Sequence, residues 1–134
     1  MRTFYKNKLA RDKIIEHMES MGAQVCWRYL NDQEYTVALT HKLLEEAQEV
    51  KTASLRAELI EELADIYEVI EALKRLHKIS EEEIVSAQTK KFDERGGFFE
   101  RKYLETVAYP EGSYWERYCL ANPEKFPEIK GNEE

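Results

Sequence analysis

Cysteine, proline, glycine and long apolar runs are all scarce in this chain of 134 residues, and each scarcity removes a class of structure. Its two cysteines, Cys26 and Cys119, have no Cys or His beside them at ligand spacing, so neither a disulfide framework nor a zinc site is expected. All three prolines, Pro110, Pro123 and Pro127, fall in the last quarter, and no Gly or Pro interrupts the stretch between Gly22 and Gly96. That stretch is free to be helical almost throughout. No run approaches the roughly 20 apolar residues of a membrane span, and the opening Met1-Arg2-Thr3-Phe4-Tyr5-Lys6 lacks the apolar core of a secretory signal. A cytoplasmic protein is the expectation. Basic residues are outnumbered 20 to 27, and the formal charge of -7 opposes attraction to a nucleic-acid polymer or an anionic membrane.

What is present is charge and apolar periodicity. Charged residues make up 35% of the chain, above the roughly 25% of ordinary soluble domains, yet 43% hydrophobic residues still supply one core. A single helical domain over residues 1–130 with an acidic tail at 131–134 is expected. The fold class is mainly all-α, an antiparallel helical bundle with a short extended segment near 24–30 and a second near 98–108. A first helix is expected from Arg11 to Met21, stopped by Gly22. Asn31 with Glu34 forms a capping box opening a second helix through Tyr35, Leu39, Leu43 and Val50. A third starts near Ser54 and carries Leu55, Leu59, Leu63, Ile66, Tyr67, Ile70 and Leu73 at spacings of three and four; it should pack antiparallel to the second. Ser80 with Glu83 opens a fourth, running to about Glu94 before Gly96-Gly97, and Ser113 to Leu120 forms a short aromatic helix.

Two acid pairs sit on the apolar phases of these helices. Glu46 is three residues after Leu39's partner Leu43 and four before Val50, with Glu49 on the adjacent flank; Glu62 stands in the same relation to Leu59 and Ile66, with Asp65 beside it. Carboxylates facing a core require positive charge, and two such pairs on adjacent helices repel. A hard divalent ion such as Mg²⁺ suits oxygen ligands without His or Cys. Pairing with lysines such as Lys42 or Lys51 at the ends of the stripe is the alternative.

Two basic groups accompany the acids. Lys91 and Arg95 lie four apart beside Gly96-Gly97, suited to phosphate oxygens, or equally to a helix C-terminus whose dipole they offset. Lys8, Arg11 and Lys13 crowd the start, which as charge alone reads as a solvated helix beginning.

Taken together, Glu46-Ala47-Gln48-Glu49, Glu61-Glu62-Leu63-Ala64-Asp65 and Lys91 with Arg95-Gly96-Gly97-Phe98 resemble, in order and approximate spacing, the all-α nucleoside triphosphate pyrophosphohydrolases, which include MazG-like proteins and phosphoribosyl-ATP pyrophosphohydrolase. The segment Lys8-Leu9-Ala10-Arg11-Asp12-Lys13-Ile14 is similar to the opening of a MazG-like subgroup, with Ala10 in place of the usual Val and Ile15 in place of the usual Pro. The likeness covers about residues 5 to 105.

The resemblance implies a MazG-like bundle and Mg²⁺-dependent cleavage of a nucleotide between its α and β phosphates, giving a monophosphate and pyrophosphate, with Mn²⁺ as a possible substitute ion. It implies Glu46, Glu49, Glu62 and Asp65 as metal ligands and catalytic acids, Lys91 and Arg95 as phosphate binders, and Lys8, Arg11 and Lys13 as a basic segment closing over the phosphates. One of those acids, or Glu45 or Glu61, would activate water. A homodimer or larger homo-oligomer is expected, and a house-cleaning role on canonical or modified triphosphates is one outcome. The alternatives are a phosphoribosyl-ATP pyrophosphohydrolase of histidine synthesis and a helical module that binds a nucleotide or protein without cleavage.

Overall fold

The computed structural model describes residues 1–131. Among them are five helices and no strand: α1 (Ile14–Ser20), α2 (Asp32–Thr52), α3 (Arg56–His77), α4 (Glu81–Arg95) and α5 (Tyr114–Leu120). No helix among these residues is long and apolar enough to cross a membrane. The end of the expected acidic tail, Asn132-Glu133-Glu134, lies outside the described residues. The chain divides into two compact units, Met1–Glu94 and the part from Arg95 onward.

In the first unit, local chemistry sets the helix limits. The Asn31 side chain accepts from the Glu34 backbone N–H at 2.8 Å, and the Glu34 carboxylate accepts from the Asn31 N–H at 3.4 Å. These bonds satisfy donors that the first turn of α2 would otherwise leave unpaired. Arg28 reaches forward to the same carboxylate, tying the preceding segment to the cap. At α4, Ser80 and Glu83 repeat the device, with bonds of 3.1 and 2.7 Å. Helix α1 begins at Ile14, three residues after the expected start at Arg11, and residues 8–13 lie outside it. It ends at Ser20, and Gly22 follows at a φ of 89° that is costly for a residue with a Cβ.

Three residues, 53–55, connect α2 to α3, with Ala53 and Leu55 both extended. So short a connection returns α3 alongside α2, and this is the extensively packed helix pair among the described residues. Leu39 and Val69 are its buried apolar residues. Of the expected stripe of α3, Ile66, Ile70 and Leu73 are half-buried, whereas Leu59 and Leu63 are exposed and Leu55 and Tyr67 more so. Apolar residues lie on two sides of α3, and the one turned to α2 carries Val69. The segments 24–30 and 98–108, expected to be extended, are non-helical and enter no strand ladder among the described residues.

The second unit is ordered around aromatic side chains. Tyr114, Trp115 and Tyr118 of α5 pack on one another with centroids 5.1 to 6.3 Å apart, and Phe126 lies 5.9 Å from Tyr118. Ser113 caps the helix through the Glu116 N–H at 3.3 Å.

The cap of α4 carries a pH dependence. Its backbone N–H and hydroxyl bonds to Ser80 hold the Glu83 carboxyl below the usual glutamate range. A depressed carboxyl stabilises the structure fully above its ordinary pKa of about 4.3 and loses that contribution as pH falls through the lower folded value. Glu83→Gln should therefore flatten the acid side of the helicity curve of the protein, measured by circular dichroism between neutral and strongly acidic pH. An unchanged acid limb would remove the cap as its cause.

Candidate metal centre

The turn at 53–55 sets the level of the acids. Glu46 lies six residues before Thr52, where α2 ends, and Glu62 six after Arg56, where α3 begins. Each is therefore about 9 Å along its helix from the turn, and antiparallel packing brings the two to the same height. Glu46, Glu62 and Asp65 each present a carboxylate oxygen, all within 4.8 Å of one another. Glu46 is the buried member at 6% exposure; Glu62 and Asp65 are half-buried. Glu49 is exposed and stands outside this closest group, yet its charge still acts on Glu62.

The electrostatics follow from this crowding. Loss of water, then the adjoining Glu46 carboxylate, with further repulsion from Glu49 and Asp65, pushes the Glu62 carboxyl above the ordinary glutamate range. Among the described residues Glu62 has no cation at ion-pair distance. Glu46 does: Lys42, one turn earlier, places its Nζ 2.9 Å from Glu46 Oε1 and 3.6 Å from Glu45 Oε1. Burial works against the Lys42 ammonium, but the carboxylates of Glu46 and Glu45 outweigh it and hold its pKa above the usual lysine value. The lysine pairing expected as the alternative to a metal is thus present at Glu46, while no equivalent pairing meets Glu62.

The N-terminal basic segment reaches the same edge. Lys8 Nζ donates to Glu45 Oε1 at 3.1 Å and Arg11 pairs with Asp65. The Lys8 bond, ahead of the charge of Lys42, draws the Glu45 carboxyl below its ordinary range, which makes Glu45 a weaker base than an unperturbed glutamate. Lys13, at the start of α1, is exposed. Lys91 and Arg95 are exposed on the last turns of α4, and α4 is outside the extensive α2–α3 packing. Glu46, Glu62 and Asp65 are brought together; of the expected phosphate pair, Lys91 is in the first unit and Arg95 opens the second. The Lys8–Glu45 and Arg11–Asp65 contacts span 37 and 54 residues, and no local spacing signals them.

The donor set fits a hard divalent ion. Oxygens on opposite sides of such an ion are about 4–5 Å apart, from metal–oxygen distances of roughly 2.0–2.6 Å, and this cluster offers three carboxylate oxygens within that span. A concavity of about 160 Å³ lies further along α3, lined by residues including Asp12, Tyr35, Glu71 and Arg75. None of its lining residues belongs to the cluster.

No family model, curated protein or solved structure matches the chain.

Because Lys42 compensates a carboxylate that folding has taken out of water, Lys42→Ala should destabilise the protein by about 1–3 kcal/mol. Adding Glu46→Gln should recover part of that loss in urea unfolding. If the double variant is no more stable than the single one, the charge of Glu46 is not what Lys42 serves.

Proposed function

We propose that this chain is a Mg²⁺-dependent nucleoside triphosphate pyrophosphohydrolase of MazG-like type, cleaving between the α and β phosphates. The observation that carries this reading is the convergence of Glu46 from α2 with Glu62 and Asp65 from α3, the two acid motifs on which the resemblance rests. Glu46, Glu62 and Asp65 would hold the ion, with Glu49 at its flank. When bound, Mg²⁺ supplies Lewis-acid polarisation and offsets the charge that develops on a leaving pyrophosphate.

The chain's own residues then have separable tasks. Glu46 is the buried member of the trio, and Lys42 meets its carboxylate with positive charge at 2.9 Å. By the resemblance, Lys91 and Arg95 would take phosphate oxygens, Arg95 through its planar fork and Lys91 as a point charge.

Assembly is part of the proposal. Leu39 and Val69 alone are a small buried core for a hairpin of two long helices, while Val37 and Leu44 on α2 and Ile60, Leu63 and Tyr67 on α3 remain exposed. A second copy covering these faces completes a bundle of four helices. A homo-oligomer is therefore the expected state in solution.

One observation favours a second reading. Because Lys42 already neutralises Glu46, the hairpin can fold without a metal, as a helical module that binds a nucleotide or partner without cleavage would require.

Pyrophosphate release from ribo- and deoxyribonucleoside triphosphates and phosphoribosyl-ATP, with Mg²⁺ or with EDTA, separates these readings. Metal-dependent release is expected, and Glu62→Gln should lower turnover on the order of 100-fold or more with helicity retained. A folded protein that binds triphosphate but releases nothing from any substrate would establish the module instead.

Light scattering coupled to size exclusion tests assembly. At least a dimer is expected, and Leu63→Glu should shift the equilibrium toward the monomer. A wild-type protein that is monomeric at micromolar concentration would refute the shared bundle.

A further inference from the structure

The N-terminal segment is joined to the acid edge by two contacts on two different helices. Lys8 meets Glu45 of α2, and Arg11 meets Asp65 of α3. Residues 8–11 therefore bridge the helix pair from outside, beside Glu46 and Glu62. Asp65 is shared between two demands, since its carboxylate belongs to the convergent trio and is also the partner of Arg11.

We infer that Lys8 and Arg11 form a strap of internal counter-ions over the acid trio, and that a divalent ion binding at Glu46, Glu62 and Asp65 displaces Arg11 and frees the strap to engage an anionic phosphate ligand. This inference rests on the metal-dependent reading above and adds a competition to it.

Three features of the contacts support the exchange. Both pairs are solvent-facing, with the side chains of Arg11 and Lys8 61% and 48% exposed, and exposed pairs are weak enough for a divalent ion to displace. A carboxylate drawn toward a metal gives up the lone-pair directions that a guanidinium fork uses. Lys8 is held to Glu45, which lies outside the trio, so the strap keeps an anchor on α2 when Arg11 is released. The released guanidinium stays beside the cluster, where phosphate oxygens bound to the ion would be within its reach. The segment can make this exchange because residues 7–12 are outside any helix, so Arg11 can move without unwinding α1.

Mn²⁺ binding to the full-length protein, followed by calorimetry and by the electron paramagnetic resonance of free Mn²⁺, tests the competition. Arg11→Gln removes the competing cation and should tighten Mn²⁺ binding about three- to fivefold, the upper scale of a weak surface pair. Lys6→Gln removes the same charge without removing a contact to the trio and should change affinity less than about twofold. Limited trypsin digestion gives a second readout: cleavage after Arg11 should accelerate on Mn²⁺ addition relative to cleavage after Lys130. Unchanged or weaker Mn²⁺ binding in Arg11→Gln, an equal gain in Lys6→Gln, or cleavage after Arg11 that does not accelerate would each overturn the strap while leaving the metal site standing. If neither wild type nor Arg11→Gln binds Mn²⁺ in a manner abolished by Glu62→Gln, the metal reading itself fails and the strap with it.

Discussion

A carboxylate taken out of water must be met by positive charge, and the packing of α2 against α3 places one, Glu46, at 6% exposure. Lys42 meets it from one turn away at 2.9 Å. The Lys42 side chain is itself only 22% exposed, so the charge of Glu46 is met within its own helix and α2 continues uninterrupted. The neighbouring acids inherit the consequence. Lys42 is engaged with Glu46 and Glu45, and Glu62 is left facing carboxylates, with its own carboxyl pushed upward. Charge is thus distributed unevenly across a small surface, offset at Glu45 and Glu46 and in excess at Glu62.

Much of this arrangement is legible in the amino-acid sequence. Capping chemistry is local, so Asn31 with Glu34 and Ser80 with Glu83 locate the starts of α2 and α4 to within a residue. The meeting of Glu46 with Glu62 was legible for a related reason: a short break between two periodic stretches makes them neighbours, and phase along each helix then decides which side chains meet. Glu49 shows the limit of phase counting. It follows Glu46 at the same step as Asp65 follows Glu62, yet Asp65 joins the cluster and Glu49 stays exposed.

The rest was not legible because it depends on distant or ambiguous partners. Periodicity marks Leu55, Leu59 and Leu63 as apolar and says nothing of whether their cover comes from within the chain, and here they remain exposed. A helix with two apolar sides offers two solutions, and only packing chooses. Lys8 and Arg11 reach acids 37 and 54 residues away, and a cluster of like charges gives no indication of which acids it will meet.

The equal distances of Glu46 and Glu62 from the turn divide the hairpin into parts with different freedom to change. Residues 53–55 carry no member of the cluster and only reverse the chain, so their number can drift as long as the helices still return side by side. The six steps on either side cannot. One residue gained or lost between Glu46 and Thr52, or between Arg56 and Glu62, turns a carboxylate by about 100° and shifts it 1.5 Å along the axis. Among descendants of this sequence, length variation would accumulate at the bend and be purged from the two flanking stretches, a signature written in gaps rather than in residue identities.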